Sequence, residues 1–113
     1  MPEHKDITIF LSDIERSISE IVAFLSENRS FAGFQKDLKT RKAVERNIEI
    51  IGEAMSRILK IAPHFPIEGS RKIVDTRNRI IHGYDSVSEE VLWAIVVNDL
   101  PSLEKQVKEL LAK

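Results

Sequence analysis

The sequence predicts an all-α protein, an up-and-down bundle of four helices with a short extra helix or loop and a proline-kinked last helix. Apolar residues recur at spacings of three and four over four segments, which is the spacing of one helical face. The connections between these segments are short, which favours antiparallel neighbours. No segment alternates as a strand does, and a chain of 113 residues has room for one core. We therefore expect a single helical domain over residues 1–113.

The first helix is predicted to be about 20 residues long. Its apolar face consists of Ile7, Phe10, Leu11, Ile14, Ile18, Ile21, Val22 and Leu25. The pattern breaks between Asn28 and Phe34, where we expect Phe31 and Phe34 to pack against the bundle.

The second long helix is predicted to start at Asp37 or Thr40. Its apolar face consists of Val44, Ile48, Ile51, Met55, Ile58 and Ala62, and Pro63 and Pro66 follow it. Gly52 interrupts this helix at a cost of about 1 kcal/mol relative to alanine. Such a glycine indicates the close approach of another helix or of a ligand, and tight helix packing is the simpler explanation.

The third helix is the one that carries a candidate site. It spans about residues 68–82, with apolar positions at Ile73, Val74, Ile80 and Ile81. Arg77 falls where this spacing calls for an apolar side chain, and Asn78 and His82, four residues apart, share a face. Gly83 is a typical helix stop, which places His82 on the last turn and Tyr84 in the exiting loop.

The last helix is predicted to open with a capping box formed by Ser86, Val87, Ser88 and Glu89. Its apolar face consists of Val91, Leu92, Ile95, Val96, Leu100, Leu103, Val107 and Leu110. Pro101 lies within it and removes a backbone donor, so we expect a kink with Asn98 or Asp99 capping the second half.

Composition limits the classes of function. Charged residues make up 31% of the chain, and the absence of cysteine excludes disulfides and thiolate zinc sites. The sequence shows neither a signal peptide nor an apolar run long enough for a membrane helix, so we expect a cytoplasmic protein with no membrane partner. The net charge of −1 gives no global attraction to nucleic acid. Any RNA binding must come from a local patch.

Two interpretations of the polar residues on the third helix remain open on spacing alone. A polar site held in an interhelical surface would explain Arg77 and His82, because buried polar groups need partners. Alternatively, Arg77 extends along the helix to solvent, His82 interacts with the helix dipole, and Tyr84 simply packs.

The run RNRIIHGY at 77–84 contains the pattern R-x4-H-x-Y, and the segments IGEA at 51–54 and DLPSL at 99–103 accompany it. Together these segments resemble the HEPN superfamily, and within it the HepT-like branch, over essentially the whole chain. The resemblance implies a dimeric ribonuclease toxin that is partnered by an MNT-type nucleotidyltransferase antitoxin in a type VII-like toxin–antitoxin system. It also implies that Arg77 and His82 are catalytic and that Tyr84 accepts AMP from the partner.

Cleavage of RNA by its own 2′-hydroxyl fits these residues. The reaction needs a base, an acid and a cation for the phosphorane, but no metal and no protein nucleophile. His82 can transfer protons, Arg77 suits phosphate oxygens, and Asn78 can orient the imidazole or the ribose. One histidine per chain is few for two proton transfers, so a homodimer with a shared groove is expected. A positive RNA-binding patch is predicted at Arg71, Lys72 and Arg79.

A metal site is not predicted. His4, His64 and His82 lie in three separate segments. Glu45, Glu49 and Glu53 are spaced by four, but Arg46, Arg57 and Lys60 alternate with them, which is typical of a solvated, ion-paired face. We expect neither a metal nor a cofactor. The rival interpretation is a non-catalytic helical module that binds nucleotide or positions a nucleotidyltransferase.

Overall fold

The structure, a computed structural model, describes residues 2–26, 29–82 and 87–113. Within these ranges it contains helices and no strand, and none of the helices has both the length and the apolar composition that a bilayer crossing needs. The elements are α1 (Pro2–Phe24), α2 (Phe31–Lys36), α3 (Leu38–Ile61), α4 (Ser70–His82), α5 (Glu89–Ala94), a π turn (Ile95–Asp99) and α6 (Leu100–Leu111). The predicted all-α bundle is confirmed, and α2 is the short extra helix.

Helix α3 is the centre of the packing. It contacts α1 and α4 extensively and also touches α2 and α5, while α6 packs against α1. Among the described helices, α4 packs closely against α3 only. One side of α4 is therefore left uncovered by the rest of the described chain.

The core contains most of the predicted apolar positions, including Ile14, Ile48, Met55 and Val107, each of which is fully buried. Two assignments were wrong. Val22 and Ile81 belong to the predicted apolar faces of their helices, but they are 43% and 44% exposed. Val22 lines a cleft with Leu100 and Pro101 of α6, so that helix covers it only in part.

Side chains cap both α3 and α5, and the cap of α5 differs from the prediction. Asp37 caps α3 by accepting from the Thr40 amide at 3.1 Å and the Thr40 hydroxyl at 2.7 Å, and these hydrogen bonds lower the pKa of its carboxyl below the ordinary 3.8. The predicted capping box at residues 86–89 is wrong, because Ser88 is the cap and Glu89 is the first helical residue. The Glu89 carboxylate instead pairs with Arg41 of α3 at 3.2 Å.

The disturbance predicted around Pro101 takes the form of a π turn. The Leu100 amide donates to the Ile95 carbonyl, and Pro101 follows at the start of α6, where its missing donor costs little. Neither candidate cap performs that role as predicted, since α6 has no side-chain cap. The Asp99 carboxylate instead pairs with the Lys72 ammonium of α4 at 2.9 Å.

Candidate functional site

The geometry of the candidate site depends on Gly52, which has no side chain. Gly52 is buried in α3, and a Cβ built there would overlap the Cβ of Arg77, lie 2.9 Å from its Cγ and lie 3.0 Å from the Ile73 carbonyl oxygen. The glycine thus lets α4 approach α3 closely at the position of the motif arginine. The prediction that Gly52 serves helix packing is confirmed.

The Arg77 guanidinium is held against α3 rather than extended into solvent. Its Nη2 pairs with the Glu53 carboxylate, and its Nη1 donates to the Asn78 amide oxygen at 3.0 Å. The side chain is 23% exposed, and its buried Nε has no hydrogen-bond partner in the described chain. Arg77 is therefore a partly buried charge whose one charged partner in the described chain is Glu53.

Glu53 joins two guanidinium groups. Its Oε2 meets Arg77, and its Oε1 accepts from the Nε of Arg57, four residues along α3, at 2.9 Å. Arg46 and Glu49 pair in the same way one turn earlier, at 3.1 Å. The predicted ion-paired face of α3 is confirmed for Glu49 and Glu53, whereas Glu45 and Lys60 form no ion pair with the described residues. Sequence reasoning missed that Glu53 also reaches α4.

A cleft of about 200 Å³ opens beside the Arg77 guanidinium between α1 and α3. Phe10 and Asp13 of α1 line one side, and Glu53 and Arg57 line the other. The Arg57 guanidinium lies 6.0 Å from the centre of the Phe10 ring, within range of a cation–π contact. Arg77 therefore borders a cleft on the α1 side of the site.

His82 is exposed on the last turn of α4. Five residues separate it from Arg77, so the two side chains leave the helix about 140° apart. Within the described ranges no hydrogen bond joins His82 to Arg77, and the hydrogen bond that Asn78 accepts comes from Arg77. The single chain therefore does not bring the two motif residues together.

The three predicted RNA-binding residues are all exposed, but they are not equivalent. Lys72 is paired with Asp99, whereas Arg71 and Arg79 form no ion pair with the described residues. Lys72 and Arg79 are seven residues apart and share a helical face, and Arg71 lies to one side of it.

Two further predictions concern Tyr84 and metals. Tyr84 and the helix stop Gly83 lie outside the described residues. Among those that are described, no three histidine or carboxylate groups lie close enough to hold a metal ion. Sequence reasoning also missed Thr76, which is buried on α4 and donates its hydroxyl to the Lys72 carbonyl at 2.9 Å.

Fold and site together define a helical-bundle protein with an arginine-centred polar site between two helices. A family model described as "Ribonuclease HepT-like" matches residues 14–110. The chain belongs to this HepT-like family, which confirms the resemblance seen in the run RNRIIHGY.

Similar proteins carry ribonuclease names. "Putative RNase MJ0127" of Methanocaldococcus jannaschii is 35% identical over 115 aligned positions, covering 98% of this chain and 91% of the relative. "Probable ribonuclease HepT" of Thermococcus cleftensis is 38% identical and covers 95% of this chain and 94% of the relative. "Putative RNase TTE0752" of Caldanaerobacter subterraneus is 38% identical and covers 74% and 76%, respectively. No solved structure matches the chain.

Proposed function

We propose that this protein is a metal-independent endoribonuclease and the toxin of a toxin–antitoxin system. Its complete catalytic site forms in a homodimer. The observation that carries the proposal is the partly buried Arg77 guanidinium, placed by Gly52 and Glu53 on the same helix as the exposed His82. Family membership and the names of the similar proteins support the same activity.

The proposed reaction is an intramolecular attack within the RNA. The 2′-oxygen forms a bond to the neighbouring phosphorus while the bond to the 5′-oxygen breaks, which leaves a 2′,3′-cyclic phosphate and a 5′-hydroxyl. One His82 takes the 2′ proton, and a second His82 gives a proton to the leaving oxygen. Arg77 meets the charge that develops on the phosphorane oxygens.

The dimer supplies what one chain lacks. The two motif side chains leave α4 in different directions, one side of α4 is covered by no other described helix, and Ile81 near its C-terminal end is exposed. A two-fold axis beside α4 would bring two copies of Arg77 and His82 to one groove and cover this side. The exposed Arg71 and Arg79 would extend the positive surface along which RNA approaches.

Subunit mixing tests the shared groove. Wild-type protein is co-refolded with His82→Ala protein in equal amounts, and cleavage of a labelled single-stranded RNA of mixed sequence is measured. If each groove needs both histidines, only wild-type homodimers cleave, so activity falls to about a quarter under random pairing. A fall to one half, relative to pure wild-type protein at the same total concentration, would show that each protomer acts alone. Mixing with His64→Ala protein, altered in the α3–α4 loop, should leave activity unchanged.

The proposed control of the toxin is adenylylation of Tyr84 by an MNT-type nucleotidyltransferase. Tyr84 follows His82 by two residues, so an attached nucleotide would bring bulk and a negative charge to the phosphate site. Tyr84→Phe should keep ribonuclease activity but escape silencing on co-expression with the partner. Intact-mass analysis should show one adenylyl group on the wild-type chain and none on the variant. Silencing of the variant through AMP transfer, or AMP mapped elsewhere, would contradict this role.

A further inference from the structure

Glu53 contacts two arginines, and the proposed reaction gives it no role. Both of its carboxylate oxygens are engaged, one by Arg57 of its own helix and the other by Arg77 of α4. The residue before it, Gly52, is where the stem of Arg77 crosses α3. Two consecutive residues of α3 therefore fix the arginine, one at its stem and the other at its guanidinium.

The contact differs from an ordinary surface ion pair. An exposed pair gains little, because both side chains lose freedom in a strongly screened setting. Arg77 is mostly covered, its Nε is buried without a partner in the described chain, and its other hydrogen bond goes to the neutral Asn78. Glu53 is thus the charged group that sets the direction of the guanidinium.

We propose that Glu53 is a positioning residue that holds the Arg77 guanidinium in the orientation required to meet the phosphorane. This inference rests on the proposed ribonuclease function. Each Nη nitrogen carries a second N–H beyond the one directed at Glu53 or Asn78, and a phosphate would meet these two groups. Glu53 itself does not touch RNA.

The substitution Glu53→Gln distinguishes a role in positioning Arg77 from a role in packing alone. The amide has the size of the carboxylate, but an NH₂ group replaces one of its two oxygens, so one of the two positions that now accept from Arg57 and Arg77 becomes a donor. Its NH₂ group would face a guanidinium N–H, two donors in opposition. The substitution also removes a negative charge near the phosphate, which favours binding of RNA in the ground state. Positioning therefore predicts a lower kcat without a higher KM.

The first experiment measures cleavage of a labelled single-stranded RNA of mixed sequence by the full-length Glu53→Gln protein. We expect kcat to fall by about 10–100-fold, as misplacement of a catalytic group does, with KM unchanged or lower. The matched control is Glu104→Gln, which breaks another helical ion pair, the one that joins Glu104 to Lys108 at 3.7 Å. It should change kcat and KM by less than about two-fold. An unchanged kcat in Glu53→Gln, or a kcat loss accompanied by a higher KM, would overturn the proposal.

A double-mutant cycle then asks whether Glu53 acts through Arg77. In an Arg77→Lys background the orientation of a planar fork no longer matters, so Glu53→Gln should cost much less than in the wild type. Equal losses in the two backgrounds would show that Glu53 acts by another route.

A measurement without catalysis keeps this inference separate from the proposed function. In ¹⁵N-arginine-labelled protein, the Arg77 Nε–H signal is assigned by its absence in Arg77→Lys. It should exchange slowly with water in the wild type, because the atom is buried, and should lose that protection in Glu53→Gln. Protection that survives the substitution would refute positioning. A wild-type protein that shows the protection but cleaves no RNA would refute the ribonuclease proposal instead.

Discussion

Replacing either motif residue with alanine should nearly abolish RNA cleavage and leave the bundle folded. In the proposed mechanism, loss of His82 removes both proton-transfer groups of the shared groove, so we expect activity to fall by at least about 10²–10⁴-fold, the contribution of one general acid or base. Loss of Arg77 would remove the cation proposed to meet the phosphorane, for which we expect activity to fall by about 10²–10³-fold. His82 is exposed, so its truncation removes nothing from the core, and Arg77→Ala should shift Tm only slightly.

The same variants separate an enzyme from a scaffold. His82→Ala should relieve growth inhibition in cells that express the protein, whereas a module that only positions a nucleotidyltransferase would be unaffected. His64→Ala is the matched control and should stay toxic. Cleavage in vitro should survive EDTA. Persistent cleavage by His82→Ala, or cleavage that depends on added divalent ions, would rule out the proposed mechanism.

Gly52→Ala should lower the stability of the bundle. Alanine favours a helix by about 1 kcal/mol over glycine. Here, however, the new methyl would overlap the Arg77 Cβ and press on the Ile73 carbonyl, atoms that cannot move without shifting α4. Overpacking of this kind costs about 1–3 kcal/mol. We expect a lower Tm despite the better helix former, and a loss of cleavage because Arg77 is displaced.

A second substitution checks that the clash is the cause. Arg77→Gly removes the Cβ and Cγ that the new methyl would strike. The fall in Tm caused by Gly52→Ala should therefore be smaller in the Arg77→Gly background, although cleavage is absent there. Melting curves of the four proteins give this coupling directly. Equal destabilisation in both backgrounds would place the strain elsewhere.

The core was predictable because burial in a bundle follows the helical period. Positions such as Ile14, Ile48 and Val107 carry that signal in their own segments, and each is fully buried. Ile81 and Val22 fit the same helical period, yet they are exposed. Periodicity identifies the apolar side of a helix, but it does not say how far a neighbouring helix extends over that side.

The polar details were less predictable because they depend on which helices meet. Asp99 looked like a cap for α6, yet it pairs with Lys72 of another helix. Glu53 was predicted to lie on a solvated, ion-paired face and pairs with Arg57 as expected, but its second oxygen reaches Arg77. A signal was present, since Gly52 beside it indicated a close approach. Only the fold shows that Arg77 is what approaches.

The one-sided packing of α4 has a consequence for dosage. In the proposed dimer, the same association step covers the open side of α4 and forms the groove. The number of complete sites therefore depends on the dimerisation equilibrium. Well below the dissociation constant of the dimer, their number falls with the square of the chain concentration. Chains made in small amounts would then be mostly single, with incomplete sites. Growth inhibition would accordingly set in above a threshold of expression rather than in proportion to it.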